Sequence, residues 1–347
     1  MAGQRETTSA RVTLRDVARA ADVHPGTASR ALNADTRSLV NEETAQRVLG
    51  AAEQLGYLPN PIARGLKTNR SYTIGVLVPD ITNPLFPPIL RGIEDRLEED
   101  GYTPLMANTD NDRERARIDW QTMRARQVDG IITATADRTD PIAEEITDSG
   151  LPVVLVNRRV DDPAIRAATP DDRVGMRLAV EHLVSLGHRR IAHIGGPLEF
   201  SSGHDRHEGF LAAMREGGVE PDPEFVIISK AFTEPEGAKA CRELLDRGGG
   251  ATAIAAGNDL IALGCYDVFL ERSIRCPSEL SVAGFNDMPF ADRFQPPLTT
   301  VRIRPYEVGV AAAELMLEAL LDPDSEPRQV QLRPELVIRE STGSPPD

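Results

Sequence analysis

The sequence contains few cysteines and no long apolar run, and both absences exclude classes of protein. Cys241, Cys265 and Cys276 are isolated and form no CxxC pair. This pattern excludes a disulfide framework or a thiolate metal site and predicts reduced, mostly buried thiols. No apolar run approaches the ~20 residues of a transmembrane helix, and the first ten residues lack the apolar segment of a signal peptide. We therefore expect a cytoplasmic protein with no membrane partner.

Sequence motifs of common catalytic sites are absent too. There is no GxSxG, GxxxxGK[ST] or HExxH motif, and the six histidines show no zinc-ligand spacing. An Ile-Gly-Gly-Pro segment follows a predicted strand, but Pro197 has no N–H to offer a phosphate. Ser201, Ser202, His204 and Asp205 form a polar cluster, which we interpret as a loop instead of a nucleophile site. We expect no enzyme activity, no cofactor and no metal site.

The charge of the chain is unevenly distributed along its length. The 347 residues carry a net charge of −15. Residues 1–71 hold 10 Lys and Arg against 7 Asp and Glu, whereas the remainder holds 29 against 47. DNA affinity requires cations only where phosphates lie, so a cationic head on an acidic body remains compatible with DNA binding.

Residues 13–32 have the pattern of two short helices joined by a tight turn. Thr13 is a suitable N-cap with Asp16 three residues later, and Pro25 fits the first position of the second helix. The first helix has an apolar stripe of Leu14, Val17, Ala18 and Ala21. The second helix is predicted to expose Gly26, Thr27, Ser29 and Arg30 and to bury Ala28 and Leu32. This layout is typical of a DNA-binding helix-turn-helix, although a helical hairpin without a DNA role has a similar pattern.

A third helix and a basic segment follow. Asn41 caps the third helix and Gly56 ends it. Its predicted inner face consists of Ala45, Val48, Leu49, Ala52 and Leu55. Asn60 and Pro61 then start a helix too short to be stable in water by itself. The segment also carries Arg64, Lys67 and Arg70, and it is either a flexible linker or a segment that folds on a partner.

From residue 72 onward, short apolar strands alternate with amphipathic helices. This alternation predicts a parallel sheet covered on both faces, and the pattern restarts near residue 173, which predicts two α/β lobes. Ligands of such sheets bind beyond the carboxyl ends of the strands. Two facing lobes would bring those ends together in one cleft.

Polar residues recur just after the predicted strands of both lobes. Each of them alone fits a helix cap or a turn, but their recurrence predicts a polar cleft. Forked arginine and amide side chains suit ligands that bear hydroxyl or carboxylate groups. These residues are Asp80, Asn83, Asn157, Arg158, Asn258, Asp259, Asn286 and Asp287, with Arg206 in a loop before a helix.

These features together resemble the LacI/GalR family of bacterial transcription regulators from about residue 12 to 343. The resemblance rests on TLRDVARAADV with TASRALN, QLGYLPNPIARGLKTNRSYTIGVLVPDITNP, VDGII, PVVLVNR, HLVSLGHRRIAHIGGP, GNDLIALG, LSVAGFND, PPLTTVR and VIREST. It implies an all-α helix-turn-helix head over residues 11–58 after a disordered stretch 1–10, a hinge helix over 59–71, and a periplasmic-binding-protein-like body over 72–347. The N-lobe would span about 72–169 and 301–323, and the C-lobe about 170–300 and 324–343.

The resemblance also implies partners and site residues. The partners would be a second copy of the chain, a near-palindromic double-stranded operator, and a small sugar or sugar derivative that acts as effector and controls DNA affinity. The DNA-binding positions are Thr13, His24, Pro25, Gly26, Thr27, Ser29, Arg30, Ala63, Leu66 and Lys67, with Leu66 wedged into the minor groove. The effector-binding positions are Asn83, Phe86, Asn157, Arg158, Arg206, Phe232, Asn258 and Asn286.

The sequence departs from the family's pattern at four positions. Three of them belong to the sites just named, and the fourth is Ile303. His24 replaces a usual serine cap, and Gly26 replaces a residue with a side chain. Asn286 replaces an acidic residue that often binds sugar hydroxyls, and Ile303 replaces a glutamine. The main prediction is an effector-controlled repressor. The alternative is a solute-binding protein with the same body fold and no gene-regulatory role.

Overall fold

The computed structural model of the chain describes residues 12–33, 36–57, 70–139, 145, 148–248 and 250–346. The chain divides into two compact units, Met1–Ser71 and Tyr72–Asp347, and the division falls where the sequence analysis begins the body. Two predicted segments lie outside the described residues: the disordered stretch 1–10 entirely, and the hinge helix 59–71 except for Arg70 and Ser71.

Within its described residues, the head unit contains three helices and one short 3₁₀ turn, Arg37–Leu39. The helices are α1 (Leu14–Ala20), α2 (Pro25–Leu32) and α3 (Glu42–Leu55). The Asp16 carboxylate accepts a hydrogen bond from the Thr13 N–H at 3.0 Å, and Asn41 caps α3 by accepting from the Thr44 N–H at 2.8 Å. Gly56 ends α3 with a φ of +61°, a conformation that glycine adopts without strain.

The core of the head is built mainly from small residues. Its buried members are Val17, Ala18, Ala21, Ala28, Ala31, Ala45, Val48, Ala51 and Ala52. Leu32 is half-buried and packs against this core, as predicted, and Leu49 is half-buried. The prediction is wrong for Leu55, which is 38% exposed. The helices α1 and α2 have seven and eight residues, so they cover α3 as far as Ala52 but leave its last turn in solvent.

The body unit contains two six-stranded sheets. The first sheet has the strand order β11-β5-β4-β3-β1-β2, and the second has β12-β10-β9-β8-β6-β7. The strands are β1 (Thr73–Val78), β2 (Thr103–Asn108), β3 (Gly130–Thr133), β4 (Val153–Val156), β5 (Arg166–Pro170), β6 (Ile191–Gly195), β7 (Val226–Ile228), β8 (Ala253–Ala256), β9 (Ser281–Asn286), β10 (Thr299–Arg302), β11 (Gln329–Leu332) and β12 (Glu335–Val337). All pairings are parallel except that of β12 with β10, which confirms the predicted pair of parallel sheets.

Helices cover both faces of each sheet. The first sheet with α4, α5 and α10 is called the first lobe, and the second sheet with α6 to α9 is called the second lobe. The helices are α4 (Phe86–Glu99), α5 (Arg113–Ala125), α6 (Asp172–Ser185), α7 (Ser201–Glu216), α8 (Glu234–Asp246), α9 (Asp259–Arg272) and α10 (Pro305–Leu321). The chain crosses between the lobes three times, after β5, after β10 and after β11.

The predicted lobe boundaries are wrong near the end of the chain. The segment 324–343 was assigned to the second lobe, but β11 pairs with β5 in the first sheet, where Gln329 lies opposite Ala167. Only β12 joins the second sheet. Two residues, Arg333 and Pro334, separate these strands, a spacing typical of neighbours in one sheet. Here that short connection carries the chain from one lobe to the other.

Two further observations concern the expectations about cysteines and membranes. Cys241 and Cys265 are buried, Cys276 is half-buried, and all three are free thiols, as the sequence predicts. No helix within the described ranges is long and apolar enough to span a bilayer.

The helices α4 and α10 approach each other closely enough for backbone contact. A Cβ atom added to Gly92 would lie 2.1 Å from the carbonyl oxygen of Tyr306, and one added to Gly309 would lie 2.1 Å from that of Ile89. Any larger residue at these positions must push the helices apart, because protein interiors are close-packed.

We therefore predict that Gly309→Ala destabilises the body by about 1–3 kcal/mol through overpacking. Urea unfolding followed by the fluorescence of Trp120, the only tryptophan and a buried one, measures this change. Gly50→Ala is the matched control, since a Cβ at Gly50 in α3 meets no atom within 4 Å, and it should leave the Trp120 transition unchanged. An unaltered midpoint in the Gly309 variant would contradict the predicted contact.

Candidate functional site

A cavity of about 120 Å³ lies between the two lobes, and we call it the interlobe cleft. The first lobe contributes the segments that follow β1, β2 and β4, and the second lobe contributes those that follow β6, β7 and β8 together with the end of β9. All eight residues predicted to bind an effector line this cleft: Asn83, Phe86, Asn157, Arg158, Arg206, Phe232, Asn258 and Asn286. The carboxyl ends of both sheets thus meet where the sequence analysis expects them.

Arg206 is buried and firmly held on the second-lobe side of the cleft. Its Nε donates to Asp172 at 2.7 Å, its Nη1 donates to the Gly257 carbonyl at 2.7 Å, and its Nη2 donates to Asn286 at 3.3 Å. The guanidinium also lies 3.9 Å from the centre of the Phe285 ring. Burial raises the pKa of Asp172 to about 6, although the charge of Arg206 opposes this shift. The result is a guanidinium with one orientation.

Arg158 enters the cleft from the first lobe with fewer partners. Its guanidinium stacks on Phe200 of the second lobe, 3.7 Å from the ring centre, and Nη2 donates to Asn111 at 3.3 Å. Burial lowers the pKa of Arg158 to about 10. A cation stacked on an aromatic ring gains stabilisation when both are shielded from water.

The next residue, Arg159, joins the lobes directly. Its N–H donates to Ser201 Oγ at 2.9 Å and its Nη2 donates to Asp205 at 2.7 Å. The polar cluster of Ser201, Ser202, His204 and Asp205 lies in the first turns of α7, and so does Arg206. The predictions of a loop for this cluster and for Arg206 are therefore wrong. Ser201 and Asp205 are occupied by contacts between the lobes.

The asparagines of the cleft differ in how fully they are used. Asn258 caps α9 through the Ile261 N–H at 2.8 Å and donates to the Phe232 carbonyl at 3.3 Å, so its main effect is to position Phe232. Asn157 has a φ of +63°, is 4% exposed, and its Oδ1 has no hydrogen-bond partner among the described residues. A buried acceptor without a donor is costly, and a ligand in the cleft would satisfy it.

Of the three acidic candidates, Asp80 lines the cleft, whereas Asp259 and Asp287 stabilise its walls without lining it. Asp259 accepts hydrogen bonds from the Met288 N–H at 2.7 Å and from the Thr300 hydroxyl at 2.5 Å. Asp287 accepts from Arg302 at 2.7 Å and from Arg339 at 2.6 Å. Ile303, which stands where the family often has glutamine, is buried in the core.

Sequence reasoning missed several residues that line the cleft. They are Asn111, Phe200, Ser202, Lys230 and Thr233. Asn111 follows β2 with a φ of +56°, so the polar-residue signal after a strand was available for it. Phe200 and Lys230 carried no such signal, because a single aromatic or lysine in a loop is common.

The candidate DNA-binding residues of the head lie at the start and along the exposed side of α2. The His24 Nδ1 accepts a hydrogen bond from the Gly26 N–H at 3.1 Å, so histidine caps the helix in place of serine. A Cβ at position 26 would lie 3.2 Å from that nitrogen, which explains why glycine fits here. Arg30 is exposed, and Pro25, Thr27 and Ser29 are half-buried. Thr13 caps α1, whereas Ala63, Leu66 and Lys67 lie outside the described residues.

A helix-turn-helix head joined in one chain to a two-lobe body with a polar cleft defines a ligand-responsive DNA-binding regulator. Two family models match the chain: "Bacterial regulatory proteins, lacI family" over residues 13–60 and "Periplasmic binding protein-like domain" over residues 180–342.

Relatives match almost the entire chain. It is 34% identical to the HTH-type transcriptional regulator RegA of Clostridium saccharobutylicum over 330 residues, covering 95% of this chain and 98% of that protein. It is 33% identical to the ribose operon repressor of Halalkalibacterium halodurans, covering 95% and 97%. The chain belongs to the LacI family of bacterial transcription regulators, a family of regulators and not of enzymes.

Solved structures agree with this assignment. The structure of the lac repressor dimer bound to operator and the anti-inducer ONPF matches with a TM-score of 0.85 at 26% identity, covering 96% of this chain and all of that one. The complex of the transcriptional regulator CelR with cellobiose matches with a TM-score of 0.74 at 30% identity, covering 95% and 100%.

The wall residue Asp259 predicts a pH dependence of stability. Burial raises its pKa to about 7, against about 3.9 in an unfolded chain. A group whose pKa is higher in the folded state contributes stability that is fully present below the unfolded pKa and lost as the pH rises through the folded pKa. The free energy of unfolding should therefore fall between about pH 4 and pH 7, by about 1.4 kcal/mol for each pH unit.

Asp259→Asn removes this titration. The difference in free energy of unfolding between the natural chain and the variant should decline across that pH range and become constant above it. Urea unfolding at a series of pH values measures the difference, and the titration of Asp172 cancels because both chains contain it. Parallel pH profiles would contradict the assigned pKa.

Proposed function

We propose that this protein is an operator-binding repressor whose DNA affinity is controlled by a small polyhydroxylated effector in the interlobe cleft. One observation carries the proposal: Arg158 from the first lobe and Arg206 from the second reach the same cleft, in a chain whose residues 13–32 have the helix-turn-helix pattern. A ligand that touches both arginines favours one arrangement of the lobes, and a ligand shifts an equilibrium only through such differential affinity.

We assign operator recognition to α2 and the residues around it. Arg30 is the exposed cation of this helix, and a guanidinium in the major groove makes bidentate contacts with guanine. Thr27 and Ser29 fit phosphate contacts, which fix the register of the helix on the duplex. His24, Pro25 and Gly26 would approach base edges with little side-chain bulk.

The hinge segment 59–71 completes the DNA-binding surface in this proposal. Ala63, Leu66 and Lys67 would enter the minor groove, where an apolar wedge kinks the duplex and a lysine lies near phosphates. A segment this short lacks autonomous helicity, so its ordering would depend on DNA. The proposal includes a homodimer on a near-palindromic operator, and a cytoplasmic location because the operator lies there.

The sugar class of effector is supported by the chemistry of the cleft and by the relatives. One relative is named as a ribose operon repressor, and one similar structure contains cellobiose. The amide groups of Asn83 and Asn157 and the aromatic face of Phe86 suit a hydroxylated ring. A solute-binding protein without a regulatory role is the second candidate, and the helix-turn-helix head disfavours it.

Operator discrimination should depend on Arg30. Arg30→Ala should lower the preference for the operator over random DNA by about 1–3 kcal/mol, the range for a good bidentate base contact. Competitive gel-shift titration with both DNAs measures this preference. Arg47→Ala, which removes an exposed charge from α3, is the control and should keep discrimination. An unchanged preference for the operator over random DNA in the Arg30 variant would contradict this assignment.

The effector response should depend on Arg206. Removing this residue alone would leave Asp172 buried without its partner, a change that destabilises proteins by roughly 3–5 kcal/mol. The informative variant is therefore Arg206→Ala combined with Asp172→Asn. We expect this chain to bind the operator and to lose its response to the inducer in a reporter assay. Operator binding by the double variant is the control for folding, and a normal inducer response in this variant would refute the role of Arg206.

A further inference from the structure

The interlobe cleft has a charge opposite to that of the lobes around it. Residues 72–347 hold 29 Lys and Arg against 47 Asp and Glu. The charged residues that line the cleft are nevertheless Arg158, Arg206 and Lys230 against the single carboxylate of Asp80. That carboxylate already accepts hydrogen bonds from the Thr82 N–H and hydroxyl, at 2.8 and 2.6 Å.

Two of the three cations have no counter-ion in contact. Arg206 forms a buried ion pair with Asp172 at 2.7 Å, so its charge is compensated. Within the part of the chain that the structure describes, no carboxylate lies within 4.0 Å of the side-chain nitrogens of Arg158 or Lys230. Lys230 is exposed, whereas Arg158 is 6% exposed.

The carboxylates nearest to Arg158 are engaged elsewhere or face solvent. Asp137 and Glu199 influence the pKa of Arg158 through space. Asp137 is in close contact with Arg113, with which it forms an ion pair, and Glu199 is exposed. Burial of a guanidinium without a contacting carboxylate is costly, and the lowered pKa of Arg158 reflects this cost.

The remaining neighbours of Arg158 leave donors available for a ligand. Phe200 covers one face of the guanidinium, and Asn111 takes one N–H. A guanidinium has five N–H donors in a fork that matches carboxylate and phosphate oxygens. Beside it, Oδ1 of Asn157 has no donor among the described residues and can accept a hydroxyl proton.

From this geometry we infer that the effector bears an anionic group, a carboxylate or a phosphate, that binds Arg158, with Lys230 as a second cation. The inference rests on the proposed function and specifies the ligand class of the same cleft: a small acid with hydroxyl groups for the neighbouring amides. The carboxylate and the phosphate share the same recognition chemistry, and the choice of probes separates them.

The test measures binding of matched probes to the full-length chain by thermal shift and calorimetry. The probes are glucose, glucuronate and glucose 6-phosphate, then ribose and ribose 5-phosphate, with inorganic phosphate against sodium chloride at equal ionic strength. At least one anionic probe should bind about tenfold tighter than its neutral counterpart, because charge-assisted hydrogen bonds are roughly twice as strong as neutral ones. Glucuronate as the preferred probe identifies a carboxylate, and the sugar phosphates or inorganic phosphate identify a phosphate.

Variants of Arg158 decide whether this side chain is responsible. Arg158→Gln should abolish the preference for anions, and Arg158→Lys, which keeps the charge and guards against a folding defect, should retain part of it. Arg126→Gln, an exposed position after α5, is the control and should behave as the natural chain. Three results would each overturn the inference. Neutral probes could bind as tightly as anionic ones, the preference for anions could persist in Arg158→Gln, or no anion could stabilise the protein.

Operator binding in the same samples separates this inference from the proposed function. If a neutral sugar changes operator affinity, the repressor function stands and the anionic ligand class falls. If an anionic probe binds through Arg158 but no probe changes operator affinity, the ligand class stands and effector control falls.

Discussion

The body depends on one topological constraint: the chain crosses three times between two parallel sheets. Parallel strands gather the segments after their carboxyl ends at one edge, and the crossings bring the two edges together. Residues far apart in the sequence, such as Asn83 and Asn286, therefore line one cleft. Because the crossings are short, the lobes can change their relative arrangement only around these segments, which makes the cleft a suitable place for a ligand to bias that arrangement.

Within the cleft, two arginines illustrate different ways to keep a charge buried. Arg206 has its own carboxylate, carbonyl and amide partners. These hydrogen bonds fix the orientation of its guanidinium, although burying the ion pair costs desolvation free energy. Arg158 has an aromatic ring and one amide, so its charge is shielded without being neutralised. The network of Arg206 orients its N–H donors before a ligand binds. The guanidinium of Arg158 keeps an uncompensated charge that a ligand can neutralise. Because they come from opposite lobes, a ligand can contact both arginines only in an arrangement of the lobes that brings them together.

Much of this protein could be predicted from sequence, and the failures have identifiable causes. The alternation of amphipathic helices and apolar strands from residue 72 onward was predictable because the periodicity of each element is local. The strands Arg166–Pro170 and Thr299–Arg302 are short and contain buried polar residues, so an apolar pattern does not reveal them. Leu55 was assigned to the core because its spacing fits the apolar stripe, but no partner helix reaches the last turn of α3.

The sequence by itself determined the helix caps, the helix-turn-helix pattern, the alternation of strands and helices, and the polar residues at strand ends, because each depends on neighbours within a few positions. Only the tertiary structure decided which of those polar groups remain unpaired in the cleft. Asn258 caps α9 and holds Phe232, Asp259 supports the wall behind it, and Oδ1 of Asn157 has no hydrogen-bond partner among the described residues. Phe200 and Lys230 joined the site without any local signal. Ligand contact depends on packing between distant segments, and no local pattern encodes that packing.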